Sequence, residues 1–138
     1  MATVNQTALR VERLTVKADR IVCEIALAPG IPQTSSPALA KRLLESFPQL
    51  AFHSCVNGED NSFATVMDHT SIPHLLEHLA IELQVQNSHA AQTTYVGTSE
   101  WTDKRAGRAR VELSFTDDIS ALQAFNNAVD ILSKALLE

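Results

Sequence analysis

The segment from Ser71 to Asn87 constrains the fold most strongly, because its apolar side chains recur at helical spacing on two sides. Thr70 or Ser71 can cap a helix here, and Pro73 fits only the first helical turn. The first apolar side consists of Ile72, Leu75, Leu76, Leu79 and Leu83, and the second contains Ile81 and Val85. A helix that is apolar on two sides is covered on both. The segment therefore predicts a central helix enclosed by other elements of the fold.

The residues before this helix predict a hairpin, a first helix and further strands. Residues 9–16 and 21–27 alternate as two strands of a β-hairpin. Ser36 caps a helix that ends before Pro48, and Pro37 occupies its first position. Residues 51–56 indicate another strand, and residues 63–67 a second, short one.

The residues after the central helix predict two more strands and a last helix. Residues 93–96 and 109–115 are the strand candidates, and Asp117 or Asp118 caps a helix that runs to Leu136. The resulting order, ββα-β-α-ββα, predicts an α+β fold. We expect a two-layer sandwich in which three helices pack on a mostly antiparallel sheet.

Composition is that of a globular domain. The chain has 138 residues, with 45% apolar and 20% charged side chains, which favours a single domain over residues 1–138. No apolar run approaches the roughly 20 residues of a membrane helix, and residues 1–7 lack the pattern of a signal peptide. Cys23 and Cys55 have no CxxC spacing, so no disulfide is expected. We expect a cytoplasmic protein with no membrane partner.

The charge pattern argues against a nucleic-acid partner. The net charge is −5, and the densest basic run, residues 104–110, holds four basic side chains and a glycine. Such a run is better explained as a solvated hairpin turn than as the basic surface of a nucleic-acid-binding protein.

Within the central helix lies a motif that can bind a metal ion, His74-Leu75-Leu76-Glu77-His78, or HxxEH. His74 and His78 are one helical turn apart, so their imidazoles can share one zinc ion. Glu77 lies beside the pair and can take a proton from a water that zinc has acidified. This order of residues is the inverted zinc-enzyme motif. We therefore predict His74 and His78 as zinc ligands and Glu77 as a general base.

Two histidines leave a zinc site short of a third protein ligand. His53, on the neighbouring predicted strand, is the preferred candidate. The alternatives are Cys55, Asp68, His69, Glu100 and Glu112. Glu82 lies too far along the helix from His74 to join the ion, and we expect it to support His78 from outside the ligand set.

The surrounding residues resemble the N-terminal domain of cyanophycin synthetases. The likeness rests on His53-Ser54-Cys55, Gly58, Phe63 and the stretch from Pro73 to Gln84, PHLLEHLAIELQ, and covers about residues 8–137. In that family an H-x-C strand precedes a helix with the pattern H-x-x-E-H-x-A-L-E-L-Q. The loop F-G-R-T-R of that family corresponds here to residues 96–100, VGTSE, which contain neither arginine. The HxxEH helix is also similar to those of pitrilysin-type peptidases and S-ribosylhomocysteine lyases.

The resemblance implies a domain that holds an aspartate–arginine polymer, and in some members a metallopeptidase-like site that trims it. If the roles known in that family apply at the matching positions here, His74 and His78 would be zinc ligands and Glu77 the general base. Those synthetases carry ATP-grasp and Mur-ligase-like domains after this one, and the sequence ends at Glu138. We therefore do not expect this chain alone to synthesise polymer.

Three functions follow as hypotheses. The first is a zinc-dependent hydrolase of peptide or isopeptide bonds, acting on a cyanophycin-like polymer. The second is a non-catalytic module that binds such a polymer, or docks on a separately encoded ligase, and keeps the HxxEH helix as a relic. The third is a structural homodimer in which the central helix pairs across a two-fold axis.

Overall fold

The structure is a computed structural model that describes residues 7–55, 62–87 and 95–138. Four strands form one antiparallel sheet in the order β1-β2-β4-β3. The strands are β1, Leu9–Val16; β2, Arg20–Leu27; β3, Gly97–Asp103; and β4, Arg108–Ser114. The helices are α1, Pro37–Ser46; α2, Phe63–Val66; α3, Ile72–Asn87; and α4, Asp118–Leu136. The predicted α+β class with an antiparallel sheet is confirmed.

The two hairpins form where the sequence places tight turns. Residues 17–19 connect β1 to β2, and the basic run begins in the turn between β3 and β4. Gly107 closes that second turn with a φ of +74°, and a Cβ there would lie 3.1 Å from the carbonyl oxygen of Leu27. Glycine is therefore required at this position both for the conformation and for the close approach.

Alternation along the strands separates the two faces of the sheet. The row Leu14, Cys23, Val111 and Ser99 runs across the inner face. One position further along, the row Arg13, Glu24, Arg110 and Glu100 runs across the outer face, where the charges alternate in sign. Both edge strands are irregular, because the pairing shifts register between Val11 and Arg13 in β1 and between Trp101 and Asp103 in β3.

The long helices α3 and α4 pack against each other and against the inner face of the sheet. Asp117 caps α4 through its side chain, and Ser36 caps α1 in the same way, as the sequence predicts. Ser133 of α4 accepts hydrogen bonds from the backbone amides of Ala8 and Leu9 at 2.9 and 3.2 Å. This contact fixes the start of β1 to the last helix.

The segment between α1 and α3 differs from the prediction. Residues 48–52 form a 3-10 helix, Pro48–Phe52, so the strand predicted over residues 51–56 is wrong for its described part, and Val56 lies outside the described residues. Pro48 favours this result because its fixed φ suits the first position of a helix. The short strand predicted over residues 63–67 is instead the helix α2. Phe63 and Met67, four residues apart, are both buried, which is a helical spacing.

The strand predicted at 93–96 is wrong for its described part, residues 95 and 96. Residues 93 and 94 are outside the described residues, and β3 begins at Gly97. From Gly97 onward the strand pairs with β4.

Helix α3 is covered on both sides only in part: on the second predicted apolar side Ile81 is partly buried, but Val85 is 46% exposed, so the prediction that this side is covered is wrong at Val85. Its leucines and Ile72 face the core beside the sheet, and all of them are buried. On its other side, Phe63 of α2 and His53, which follows the 3-10 helix, contact His78. Among the described residues, no helix combines the length and apolar character needed to cross a membrane.

Candidate metal centre

The two histidines of the HxxEH helix point their rings at each other. The Nε2 atom of His78 lies 3.1 Å from the Nε2 atom of His74. Two nitrogens that bind one tetrahedral zinc ion are roughly 3.3 Å apart, given Zn–N distances of about 2.0–2.1 Å. The spacing of one helical turn therefore brings both donor atoms to within a few tenths of an ångström of the separation that a shared ion requires.

A third donor comes from Cys55. One donor atom each from Cys55, His74 and His78 lie within 4.8 Å of one another, and in the described part of the chain this is the group that could hold a metal ion. Around a tetrahedral zinc ion, sulfur and nitrogen donors are about 3.6 Å apart. No separation in the set therefore exceeds this distance by more than about 1.2 Å. Sulfur and imidazole donors suit zinc rather than magnesium or calcium.

His53, the preferred third ligand in the sequence analysis, lies on another side of the pair. Its Nδ1 atom is 3.0 Å from Nδ1 of His78, and its Nε2 atom is 2.9 Å from Oε1 of Glu82. His53 thus contacts the nitrogen of His78 that faces away from His74. A ligand role for His53 stays a prediction, whereas the donor group itself contains Cys55.

Glu82 was expected to support His78 directly. The carboxylate instead reaches His78 through the ring of His53, and its second oxygen, Oε2, accepts a hydrogen bond of 3.0 Å from Gln86. Glu82 is only 4% exposed. Because burial of a carboxylate without hydrogen-bond partners lowers stability by several kcal/mol, these two contacts offset that loss.

Glu77 lies beside the histidine pair in a buried position. Its Oε2 atom is 3.9 Å from Nε2 of His78, the nitrogen that faces His74. Burial raises the pKa of Glu77 from 4.5 to about 6, and a hydrogen bond with Ser99 of β3 acts in the opposite direction. A carboxylate with a pKa near 6 can both accept and release a proton close to neutral pH.

Gly97 of β3 makes room for that carboxylate. A Cβ atom at this position would lie 2.8 Å from Cγ and 3.0 Å from Oε2 of Glu77, and 2.7 Å from a methyl carbon of Leu113. These distances are shorter than side-chain contacts allow, so only glycine fits here without moving Glu77.

Burial favours the neutral form of the two imidazoles of the HxxEH helix by lowering the pKa of each. Burial is the largest cause that lowers the pKa of His78 to about 3, and the neighbouring rings of His74 and His53 lower it further. Burial also lowers the pKa of His74. A neutral imidazole keeps one lone pair, which is the form that binds a metal ion.

Two further residues, Phe63 and Thr70, contact the rings, and neither was predicted as part of the site. Phe63 stacks on His78 with ring centroids 3.9 Å apart, and its edge contacts His74. The Thr70 hydroxyl lies 2.8 Å from Nδ1 of His74. Thr70 precedes His74 by four residues, a spacing at which side chains at a helix start can meet, whereas nothing in the local sequence pairs Phe63 with His78.

The remaining candidates lie away from this group. Asp68 and His69 pair with each other at 2.7 Å in exposed positions. Glu100 pairs with Arg110, and Glu112 pairs with Arg20. These four residues are engaged elsewhere and do not belong to the donor group.

The fold and the site together define an α+β domain with a partly buried cluster in which Cys55 lies beside two histidines of the central helix. Residues 20–137 match the family described as the cyanophycin synthase-like N-terminal domain. The match spans most of the sequence, and the chain belongs to this family. A comparison with curated proteins finds no match.

Proposed function

We propose that this domain is a zinc-dependent hydrolase of peptide or isopeptide bonds. The observation that carries the proposal is the combination of two Nε2 atoms 3.1 Å apart with a buried carboxylate, Glu77, 3.9 Å from one of them. Together with Cys55, these residues supply a donor set and a base, which are the two parts that a zinc hydrolase needs.

Each residue has a distinct task in this proposal. His74, His78 and Cys55 would hold the ion, which when bound would acidify a water molecule and polarise the substrate carbonyl. Glu77 would accept the proton of the attacking water and pass it to the leaving amine, for which a pKa of about 6 is suitable. Ser99 and Gly97 would keep the carboxylate in place, the first by its hydrogen bond and the second by its lack of a side chain.

The substrate follows from family membership and charge. We propose a peptide or amino-acid polymer of the cyanophycin type, because the chain belongs to the cyanophycin synthase-like N-terminal domain family. A net charge of −5 also favours a substrate with basic side chains. A cytoplasmic location belongs to the same proposal, whereas docking on a separately encoded ligase belongs to the second hypothesis and a structural homodimer to the third.

Zinc analysis of protein purified without a histidine tag tests the donor set. After removal of metal by a chelator and addition of zinc, we expect about one ion per chain in the wild type. His74→Ala and His78→Ala should lose the ion, whereas His69→Ala, a matched change at an exposed histidine, should keep it. Less than about one tenth of an ion per wild-type chain would refute the proposal.

The role of Glu77 is tested on the zinc-loaded protein. Glu77→Gln should retain zinc and lose cleavage of an aspartate–arginine polymer, whereas Glu100→Gln should cleave at the wild-type rate. Unchanged cleavage by Glu77→Gln would show that Glu77 is not the base.

The non-catalytic alternative rests on a different aspect of the same geometry. The rings of His53, His74 and His78, of which only His78 is fully buried, hydrogen-bond to one another without any ion. If no metal binds, these rings form a polar network of the core, and the domain is the polymer-binding or ligase-docking module of the second hypothesis.

A further inference from the structure

A continuous chain of hydrogen bonds joins a buried carboxylate to the histidine pair. It starts at Glu82, whose Oε1 atom lies 2.9 Å from Nε2 of His53. It continues over 3.0 Å from Nδ1 of His53 to Nδ1 of His78, and over 3.1 Å from Nε2 of His78 to Nε2 of His74. It ends with 2.8 Å from Nδ1 of His74 to the hydroxyl of Thr70. Every ring nitrogen of the three histidines therefore has a partner within this chain.

The carboxylate gives the chain a direction. Gln86 donates a hydrogen bond to Oε2 of Glu82, and an ionised carboxylate has only acceptor atoms, so the hydrogen of the next contact belongs to Nε2 of His53. A neutral imidazole carries one N–H, which leaves a lone pair on Nδ1 of His53. The hydrogen between the two Nδ1 atoms must then belong to His78.

The consequence for His78 concerns its other nitrogen. With the hydrogen on Nδ1, the Nε2 atom of His78 carries the lone pair, and this atom faces His74. We propose that Glu82 and His53 are positioning residues that fix the tautomer of His78 and so keep its Nε2 lone pair free for a metal ion. The part of this inference that concerns metal rests on the proposed function.

His74 is held differently, because its partner is a hydroxyl. The hydroxyl of Thr70 can donate to Nδ1 of His74 or accept from it, so both tautomers of His74 keep a hydrogen-bond partner. In the metal-free protein the Nε2–H of His74 donates to His78. Transfer of that hydrogen to Nδ1, with Thr70 as acceptor, frees the second lone pair without any change in charge. The site thus combines an imidazole with a fixed tautomer, that of His78, and an imidazole that can adopt either tautomer, that of His74.

The tautomer of His78 can be measured without any metal or activity. Long-range proton–nitrogen correlation spectra of the metal-free, nitrogen-15-labelled protein distinguish Nδ1–H from Nε2–H imidazoles and from imidazolium. At pH 8.5, well above the ordinary imidazole pKa of about 6.5, we expect His78 as the Nδ1–H tautomer and His53 as the Nε2–H tautomer. An Nε2–H tautomer at His78, or an imidazolium at His53, would overturn the inference.

Two variants test the consequence for metal binding. In Glu82→Gln the amide can donate to His53 as well as accept from it, so His78 should populate both tautomers, and zinc should bind about 10–100-fold more weakly. His53→Phe removes the acceptor for Nδ1 of His78 and should weaken zinc binding by a similar factor. His69→Phe changes a histidine that also pairs with a carboxylate, but at the surface, and should leave zinc affinity unchanged.

The outcomes separate this inference from the proposed function. Wild-type zinc binding with an unchanged affinity in Glu82→Gln would overturn the positioning role and leave the metal site standing. No zinc binding in the wild type, together with the Nδ1–H tautomer at His78, would refute the proposed function and support the directed chain. Should either variant fail to fold, the wild-type spectrum still decides the tautomer.

Discussion

Replacement of Glu77 by glutamine should stabilise the metal-free protein at neutral pH, although it removes the proposed base. Glu77 is 7% exposed in the wild type, and burial raises the pKa of its carboxyl group from 4.5 to about 6. The ionised form is therefore less favourable in the folded than in the unfolded chain. Glutamine has nearly the same shape and no charge, so it avoids this cost.

The expected size of the effect follows from these two pKa values. A difference of one pH unit corresponds to 1.36 kcal/mol, so a rise from 4.5 to about 6 corresponds to about 2 kcal/mol. Below pH 4.5 the carboxyl group is protonated in the folded and in the unfolded chain, so its burial does not lower the free energy of unfolding. Between pH 4.5 and 6 the carboxyl group ionises in the unfolded chain but not yet in the folded one, so the free energy of unfolding falls. Above pH 6 the group is ionised in both, and the loss of stability reaches its full size. The stability advantage of Glu77→Gln over the wild type should thus increase by about 2 kcal/mol from pH 4 to pH 7.5.

Urea unfolding of both proteins at pH 4 and pH 7.5, with a chelator present, measures this difference. His78 changes wild-type stability in the opposite direction. Its lowered pKa costs stability as the pH falls below its ordinary value, but both proteins retain His78, so its contribution cancels. Glu100→Gln, at a carboxylate whose side chain is 60% exposed, is the matched control and should show little change with pH. An advantage of Glu77→Gln that is constant or falls with pH would refute the account of a buried, destabilised carboxylate.

Three further predictions concern the packing around the site and the sheet. Gly97→Ala forces a methyl group against Glu77 and should lower the free energy of unfolding by about 1–3 kcal/mol. The variant should also lose hydrolysis while it retains zinc. A stable and fully active variant would contradict this prediction. Cys55 should react with a thiol reagent only in the metal-free protein, whereas Cys23, with a pKa raised by burial to about 12, should stay unreactive; equal labelling of Cys55 with and without zinc would exclude it from the donor set. Ser133→Ala leaves two backbone amides at the start of β1 without their acceptor and should lower the free energy of unfolding by about 1–3 kcal/mol, whereas a loss below about 0.5 kcal/mol in urea unfolding would mean that these amides find other partners.

Regular periodicity made most of the fold predictable. The first hairpin, α1, α3, β4 and α4 each repeat apolar residues over several turns or alternations, and Ser36 and Asp117 cap their helices as expected. The segment between α1 and α3 is too short for such repeats. Its 3-10 helix leaves Phe52 79% exposed, although an apolar residue in a predicted strand is expected to be buried. Long-range packing, not local pattern, decides the structure there.

The candidate site was predictable only along one helix. The spacing of His74, Glu77 and His78 places these side chains together whatever the rest of the chain does. The contacts of His53, Cys55 and Phe63 depend on how the segment before α3 folds over it, and no spacing in the sequence encodes this. Ser99 and Gly97 reach Glu77 only because β3 lies at the sheet edge next to α3.

The irregular pairing in both edge strands has a consequence for how the domain behaves at high concentration. An uninterrupted edge offers a row of free amides and carbonyls to any extended peptide, including another copy of the same chain. Here Glu12 in β1 and Thr102 in β3 each interrupt that row with an extra residue, which twists the edge and disturbs its spacing. Both edges of the sheet are therefore poorer templates for pairing with another copy of the chain than regular edge strands would be.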